Sequence, residues 1–204
     1  GDVQGLLAGM PVSVKDCIDV AGVPCTNGSQ FFKNHVPNED ASIVAALRAA
    51  GAVIVGKTNL HEFAFGSTTQ NPHFGPTRNP WNTDHIPSGS SGGAGAAVAA
   101  RMCVGAVGSD TGGSVRTPAA LNGVTGLRPS LGSIPMRAGS FSSLFFSIDH
   151  VRVLDRVFSA LIVAARMRVS NARSAASCVA AATSRKSSVA WRESASVWCN
   201  SAVN

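Results

Sequence analysis

Gly89-Ser90-Ser91-Gly92-Gly93, the small residues from Ala94 to Arg101, the apolar run Cys103 to Val107, and then Gly108-Ser109-Asp110-Thr111-Gly112-Gly113-Ser114-Val115-Arg116 form the stretch that decides the fold. It reads as turn, helix, strand, turn. Two Gly-rich turns, each carrying a serine, therefore stand one helix and one strand apart. Glycine at such turns permits positive φ and lets the backbone approach a ligand closely. Successive N–H groups in such a turn form a concavity that attracts negative charge. A serine set there is placed as a nucleophile whose oxyanion product has donors waiting. No histidine falls between His85 and His150, so a base has to come from elsewhere.

Upstream, Gly9-Met-Pro-Val-Ser-Val-Lys15-Asp16 reads as a short strand, Val12 to Val14, with Lys15 at its C-terminal end, where side chains of α/β sheets project into sites. Ser–Lys pairs are a known variant of the serine triad. Lysine serves as a base only if desolvation or neighbouring charge lowers its pKa. The plainer reading is a surface lysine paired with Asp16 or Asp19. Residues 21–39 are rich in turn formers. Asp40 is expected to cap a helix carrying Ile43, Val44, Leu47 and Arg48, closed by Gly51. Ala52-Val-Ile-Val55 is then expected as a buried strand, and a helix running into a strand points to an α/β layered domain.

Gly51-Ala-Val-Ile-Val-Gly56-Lys57-Thr58 matches the phosphate-binding pattern G-x-x-x-x-G-K-[ST] letter for letter. That pattern needs a strand before the first glycine and a loop in its four middle positions. Here a helix precedes and the middle positions are the strand, so nucleotide binding is disfavoured. His61-Glu62 opens a short helix without a second histidine four residues on, so neither a zinc-protease motif nor another metal site is expected. The Gly/Ser/Thr/Asn/Pro-rich residues 66–88 read as a long loop, a feature usually tied to function. Thr117 to Leu121 reads as a helical turn and Gly123 to Pro129 as a strand. From Asp149, Val153, Leu154, Val157, Phe158, Leu161, Ile162 and Ala165 share a helical face.

The chain has 204 residues, 45% hydrophobic and 14% charged, enough for one domain with a sizeable core. It has no apolar run long enough for a membrane span, no visible signal peptide and no initiator Met, which leads to the expectation of a fragment or processed chain outside the membrane. Five cysteines without a C-x-x-C pair suit a reduced, cytoplasmic setting. The net charge of +6 is confined to the C-terminal part. Up to Met136 there are eight Lys/Arg and eight Asp/Glu; from Arg137 on there are nine and three. Direct nucleic-acid binding is therefore not expected of the core. Three segments follow: a core 1–136, a divergent continuation 137–171 with one helix, and a basic Ser/Ala/Arg-rich tail 172–204 that is poorly ordered or non-native.

From about Gly5 to Met136 the sequence resembles the amidase signature family. The resemblance is carried by Gly9-Met-Pro-Val-Ser-Val-Lys-Asp16, Ala49-Ala-Gly-Ala-Val-Ile-Val-Gly-Lys-Thr-Asn59, Gly75-Pro-Thr-Arg-Asn-Pro-Trp81, Gly89-Ser-Ser-Gly-Gly93 and Gly108-Ser-Asp-Thr-Gly-Gly-Ser-Val-Arg116. Lys15 precedes Ser90 by 75 positions and Ser90 precedes Ser114 by 24, as the family spacing requires. The resemblance implies a mixed β-sheet sandwiched between helices, here as an incomplete core. It also implies a Ser–cis-Ser–Lys triad with Ser114 as nucleophile, Ser90 as bridging serine after a cis Gly89–Ser90 peptide, and Lys15 as base. By the same resemblance the N–H groups of Thr111, Gly112, Gly113 and Ser114 form an oxyanion hole, with Ser91, Asp110 and Arg116 in support. The implied reaction is hydrolysis of a small carboxamide through an acyl-enzyme, without metal or organic cofactor. Implied partners are the amide itself, and either a second copy in a homodimer or amidotransferase subunits.

Some features depart from the pattern. Ser88 stands where the family commonly has glycine, and the match fades after Gly126-Leu-Arg-Pro129. Two alternatives therefore stand beside a free-standing amidase: the glutaminase subunit of a glutamyl-tRNA(Gln) amidotransferase, and a truncated, inactive relative.

Overall fold

The alternating residues of Pro11–Lys15 (β1) decide which groups face the site, because successive side chains of a strand point to opposite faces of its sheet. The computed structural model describes residues 5–130, residue 134 and the strand Ala160–Val163. The chain divides into the units Gly1–Arg166 and Met167–Asn204, and the second lies outside the described residues. In order, the elements are β1, Ser42–Ala49 (α1), Val53–Thr58 (β2), Gln70–Asn71 (β3), Gly75–Pro76 (β4), Gly92–Ala99 (α2), Gly105–Gly108 (β5), Arg116–Asn122 (α3), Gly126–Leu127 (β6) and Ala160–Val163 (β7).

The described sheet runs β2-β1-β5-β7-β6. β1 is parallel to both β2 and β5, whereas β7 is antiparallel to β5 and β6, so the sheet is mixed. β1 aligns Val14 with Val107 and Ser13 with Ala106 on β5. Val12, Val14 and Val107 pack on one side with Val44 of α1, Leu60 and Val20. Ala106 packs on the other side with Ala94 and Val98 of α2 and with Val115. Helices thus cover both faces, as an α/β layered fold demands. Lys15 shares the face of Ser13 and Ala106, the side on which α2 begins just after Ser90.

α2 can lie this close only because its first two residues, Gly92 and Gly93, have no side chains. A Cβ on Gly93 would sit 2.4 Å from the Asn59 carbonyl oxygen, and one on Gly92 would sit 2.3 Å from Thr69 Oγ1. Gly93→Ala is expected to destabilise the chain by about 2–3 kcal/mol through overpacking, lowering the melting midpoint by roughly 5 °C or more. Gly112→Ala, where an added Cβ meets nothing within 4 Å, is the stability control. Equal midpoints for the two variants would contradict this packing.

Three sequence expectations change. Asp40 does not cap α1: the N-cap is Ala41, and Asp40 instead accepts from the Ala21 N–H at 2.8 Å and from Arg48 Nε at 2.9 Å. Its carboxylate ties the preceding loop to the helix. Residues 52–55 are not a fully buried strand. β2 is the end strand of the described sheet, and Val53 and Val55 are about half exposed. The expected helix from Asp149 lies outside the described residues except at Ala160–Val163, which form β7. There the aliphatic run fills the place between β5 and β6 as a strand. The expected segments 137–171 and 172–204 otherwise lie outside the described residues. No helix among the described residues is long and apolar enough to cross a membrane.

Candidate active site

The last residue of β1 is a lysine with no access to solvent. Lys15 is fully buried, and its Nζ lies 2.6 Å from Ser90 Oγ and 2.8 Å from Ser109 Oγ. Burial pushes its ammonium down from 10.5 to about 8, while the neighbouring Cys17 and the Asp110 carboxylate oppose that shift. Such a lysine has roughly 300 times more free base near neutrality than an exposed one, since each pKa unit changes the neutral fraction about tenfold.

Ser90 and Ser91 are also fully buried. The Gly89–Ser90 peptide is cis, and carbonyls on both sides of it are held. Thr117 Oγ1 lies between the carbonyls of Gly89 at 3.1 Å and Gly113 at 3.0 Å, sharing its one proton between them, and the His61 N–H donates to the Ser90 carbonyl at 3.1 Å. Thr69, in the long loop, braces the same turn: its hydroxyl donates to the Ser88 carbonyl at 2.8 Å and accepts from the Gly92 N–H at 3.1 Å.

Ser114 is brought alongside through the backbone, where the Ser91 N–H donates to the Ser114 carbonyl at 3.1 Å. Its hydroxyl makes no hydrogen bond among the described residues and stays partly exposed. Lys15, Ser90 and Ser114 are thus gathered at one place, with the Lys15–Ser90 contact formed and the Ser90–Ser114 hydroxyl contact not formed.

Asp110 organises the turn that carries Ser114. It is fully buried and accepts from the N–H groups of Gly113 at 2.8 Å, Val115 at 3.1 Å and Arg116 at 3.2 Å. Arg116 adds a two-pronged contact, Nε to Oδ2 and Nη2 to Oδ1, each at 3.0 Å. Burial alone would raise the Asp110 carboxyl, but the Arg116 guanidinium and the N–H groups of Val115 and Arg116 hold it below its usual 3.8. The expected set of four oxyanion donors needs correction at Gly113, whose N–H is committed to Asp110. The N–H groups of Thr111, Gly112 and Ser114 make no hydrogen bond among the described residues.

Ser91 donates to the Ser109 carbonyl at 3.2 Å and so joins the two serine turns. Ser109 itself, the second partner of Lys15, is a residue that the sequence reading missed. Its signal is available: it follows β5 directly and sits beside the end of β1. Lys57 does not serve a phosphate loop. It lies in β2 and its Nζ pairs with Asp16 Oδ1 at 2.7 Å, while Asp16 Oδ2 also accepts from Thr26 Oγ1.

The family model described as Amidase matches residues 1–190. This chain belongs to the amidase family. The match extends past residue 136, where the motif resemblance faded. Among curated proteins, this amidase-family chain is 57% identical over 128 residues to the A subunit of the glutamyl-tRNA(Gln) amidotransferase of Desulforapulum autotrophicum, covering 63% of this chain and 26% of that one. It is 52% identical over 134 residues to the corresponding protein of Carboxydothermus hydrogenoformans, covering 66% of this chain and 28% of that one. Among solved structures, the corresponding protein of Thermotoga maritima superposes with a TM-score of 0.61 at 49% identity, over 63% of this chain and 28% of that one. A 6-aminohexanoate cyclic dimer hydrolase superposes with a TM-score of 0.71 at 36% identity, over 79% and 33%. The chain spans about a quarter of the length of the curated relatives it matches.

Proposed function

We propose that this chain is an amidase that hydrolyses a carboxamide C–N bond through a serine acyl-enzyme, with Ser114 as nucleophile, Ser90 as relay and Lys15 as base. The observation that carries this reading is the wholly buried Lys15 with its Nζ 2.6 Å from Ser90 Oγ, beside the turn that bears Ser114. Neutral Lys15 takes the Ser90 proton as Ser90 takes that of Ser114, and Ser114 Oγ attacks the carboxamide carbon. The N–H groups of Thr111, Gly112 and Ser114, which have no partner among the described residues, would donate to the oxygen that becomes negative; a single donor of this kind contributes about 2.7–4 kcal/mol. The relay then runs backward to protonate the departing nitrogen, and water releases the acid from the ester.

The test is labelling of the purified chain with a fluorophosphonate serine probe, beside Ser114→Ala and Lys15→Ala. Labelling of the wild type that is lost in both variants is the expected result. A folded wild type that stays unlabelled overturns the reading.

A second reading is favoured by the 52–57% identity to glutamyl-tRNA(Gln) amidotransferase proteins. In that case the same serine releases ammonia from glutamine for transfer within an assembly of partner subunits. Ammonia release from glutamine in preference to simple aliphatic amides distinguishes it.

A further inference from the structure

Lys15 has a second neighbour chain that the relay does not use. Ser109 Oγ lies 2.8 Å from Lys15 Nζ on one side and 3.8 Å from Cys17 Sγ on the other, and all three residues are buried. For Lys15 to act as a base its lone pair has to face the Ser90 hydroxyl. A neutral amine has one lone pair and two hydrogens, so one N–H is directed at Ser109, which has to accept it. The Ser109 proton then needs another acceptor. Among the described residues its hydroxyl has one hydrogen-bond partner besides Lys15, the sulfur of Cys17. The sulfur of Cys17 lies within contact reach of a sulfur hydrogen bond and is a weak acceptor.

We infer that Cys17 is a positioning residue for the Lys15 base: its sulfur receives the Ser109 hydroxyl proton and so fixes Ser109 as an acceptor for Lys15. The proposal rests on the amidase reading above. Without the sulfur, the Ser109 hydroxyl is free to turn its proton toward Lys15 Nζ and compete with Ser90 for the lone pair. The hydrogen-bond direction then runs as one series, Ser90 to Lys15 to Ser109 to Cys17, each group donating to the next. Cys17 takes no part in bond making. It also belongs to the apolar cluster around Val12 and Val14, so its place is held by packing.

The experiment is a double-mutant cycle on the rate of Ser114 labelling by a fluorophosphonate, with Cys17→Ala, Ser109→Ala and the pair. Cys17→Ala is expected to slow labelling about threefold to tenfold, the scale of one modest hydrogen bond. In the Ser109→Ala background the same change is expected to bring no further slowing, because coupled residues are non-additive. Cys17→Ser, which keeps an acceptor at similar size, is expected to label near the wild-type rate, and it carries the comparison if Cys17→Ala folds poorly. Additive losses, or a Cys17→Ser chain as slow as Cys17→Ala, overturn the role of Cys17 and leave the amidase reading standing. A folded wild type that does not label removes both.

Discussion

Lys15→Met is expected to yield a chain that no longer labels at Ser114 yet unfolds at a higher temperature than the wild type. The first half follows from the relay: methionine has no lone pair that can hold the Ser90 proton. The second half follows from burial. The fall of the Lys15 pKa from 10.5 to about 8 corresponds to about 3 kcal/mol against the folded state at neutral pH, where the lysine is protonated both folded and unfolded. Methionine removes that cost and fills a similar volume. Against it stand Ser90 and Ser109, which lose a partner at about 1 kcal/mol each. The balance is a gain on the order of 1 kcal/mol, or about 2–4 °C in midpoint for a chain of this size.

The sign can be checked by pH. Between about 8 and 10.5 the unfolded lysine holds a proton that the folded one has lost, so wild-type stability rises with pH across that window. Lys15→Met lacks this rise, and its advantage over the wild type shrinks from about pH 7 to about pH 10. Labelling of the wild type increases as pH passes about 8, as the base is freed. A variant less stable than wild type at neutral pH overturns the assignment of Lys15 as a desolvated amine.

How much of this was legible depends on whether a residue's role is local or supplied by a neighbour. β1, α2, β5 and the two Gly-rich serine turns follow from period, small-residue content and turn chemistry, which are local. The gathering of Lys15 with Ser90 and Ser114 was legible only through long motifs in order, because 75 positions separate the first two. Asp40 misled because an acidic residue before a helix is a good cap by propensity, yet Arg48 and the Ala21 N–H compete for its carboxylate. The aliphatic run of β2 implied two covered faces, but side chains cannot announce whether a further layer lies over them. Ala160–Val163 fits a helical face and a strand equally as a short apolar run, and the pairing with β5 and β6 decides for the strand. Ser109 and the Gly113 N–H share a cause: their partners, Lys15 and Asp110, are set by geometry around the sheet end, which spacing alone does not encode.

Asp110→Ala is the substitution expected to cost the most stability. The carboxylate accepts three main-chain N–H groups and both prongs of Arg116, and it has no access to solvent. Alanine takes the acceptor from those N–H groups, and a buried donor left unsatisfied costs about 1–3 kcal/mol, so the loss is about 3–5 kcal/mol in all. At about 2–4 °C per kcal/mol the midpoint falls by roughly 10 °C. Because the same bonds shape Gly113 and Ser114, labelling falls with it even below the melting range. Asp110→Asn keeps the shape and one acceptor oxygen, so it is expected to lie between the two. Acid separates charge from packing. The folded carboxyl titrates below its unfolded value of 3.8, so the folded state binds fewer protons and the contribution is present above that value. It is lost as pH falls through the lower folded value. The wild type therefore loses stability in acid below about pH 4 by a component that Asp110→Ala has already forfeited, and the gap between the two chains narrows there. Denaturant midpoints at about pH 7 and about pH 3 measure both. A gap that stays constant would mean that Asp110 acts through packing alone, and no gap at neutral pH would remove it as the brace of the Ser114 turn.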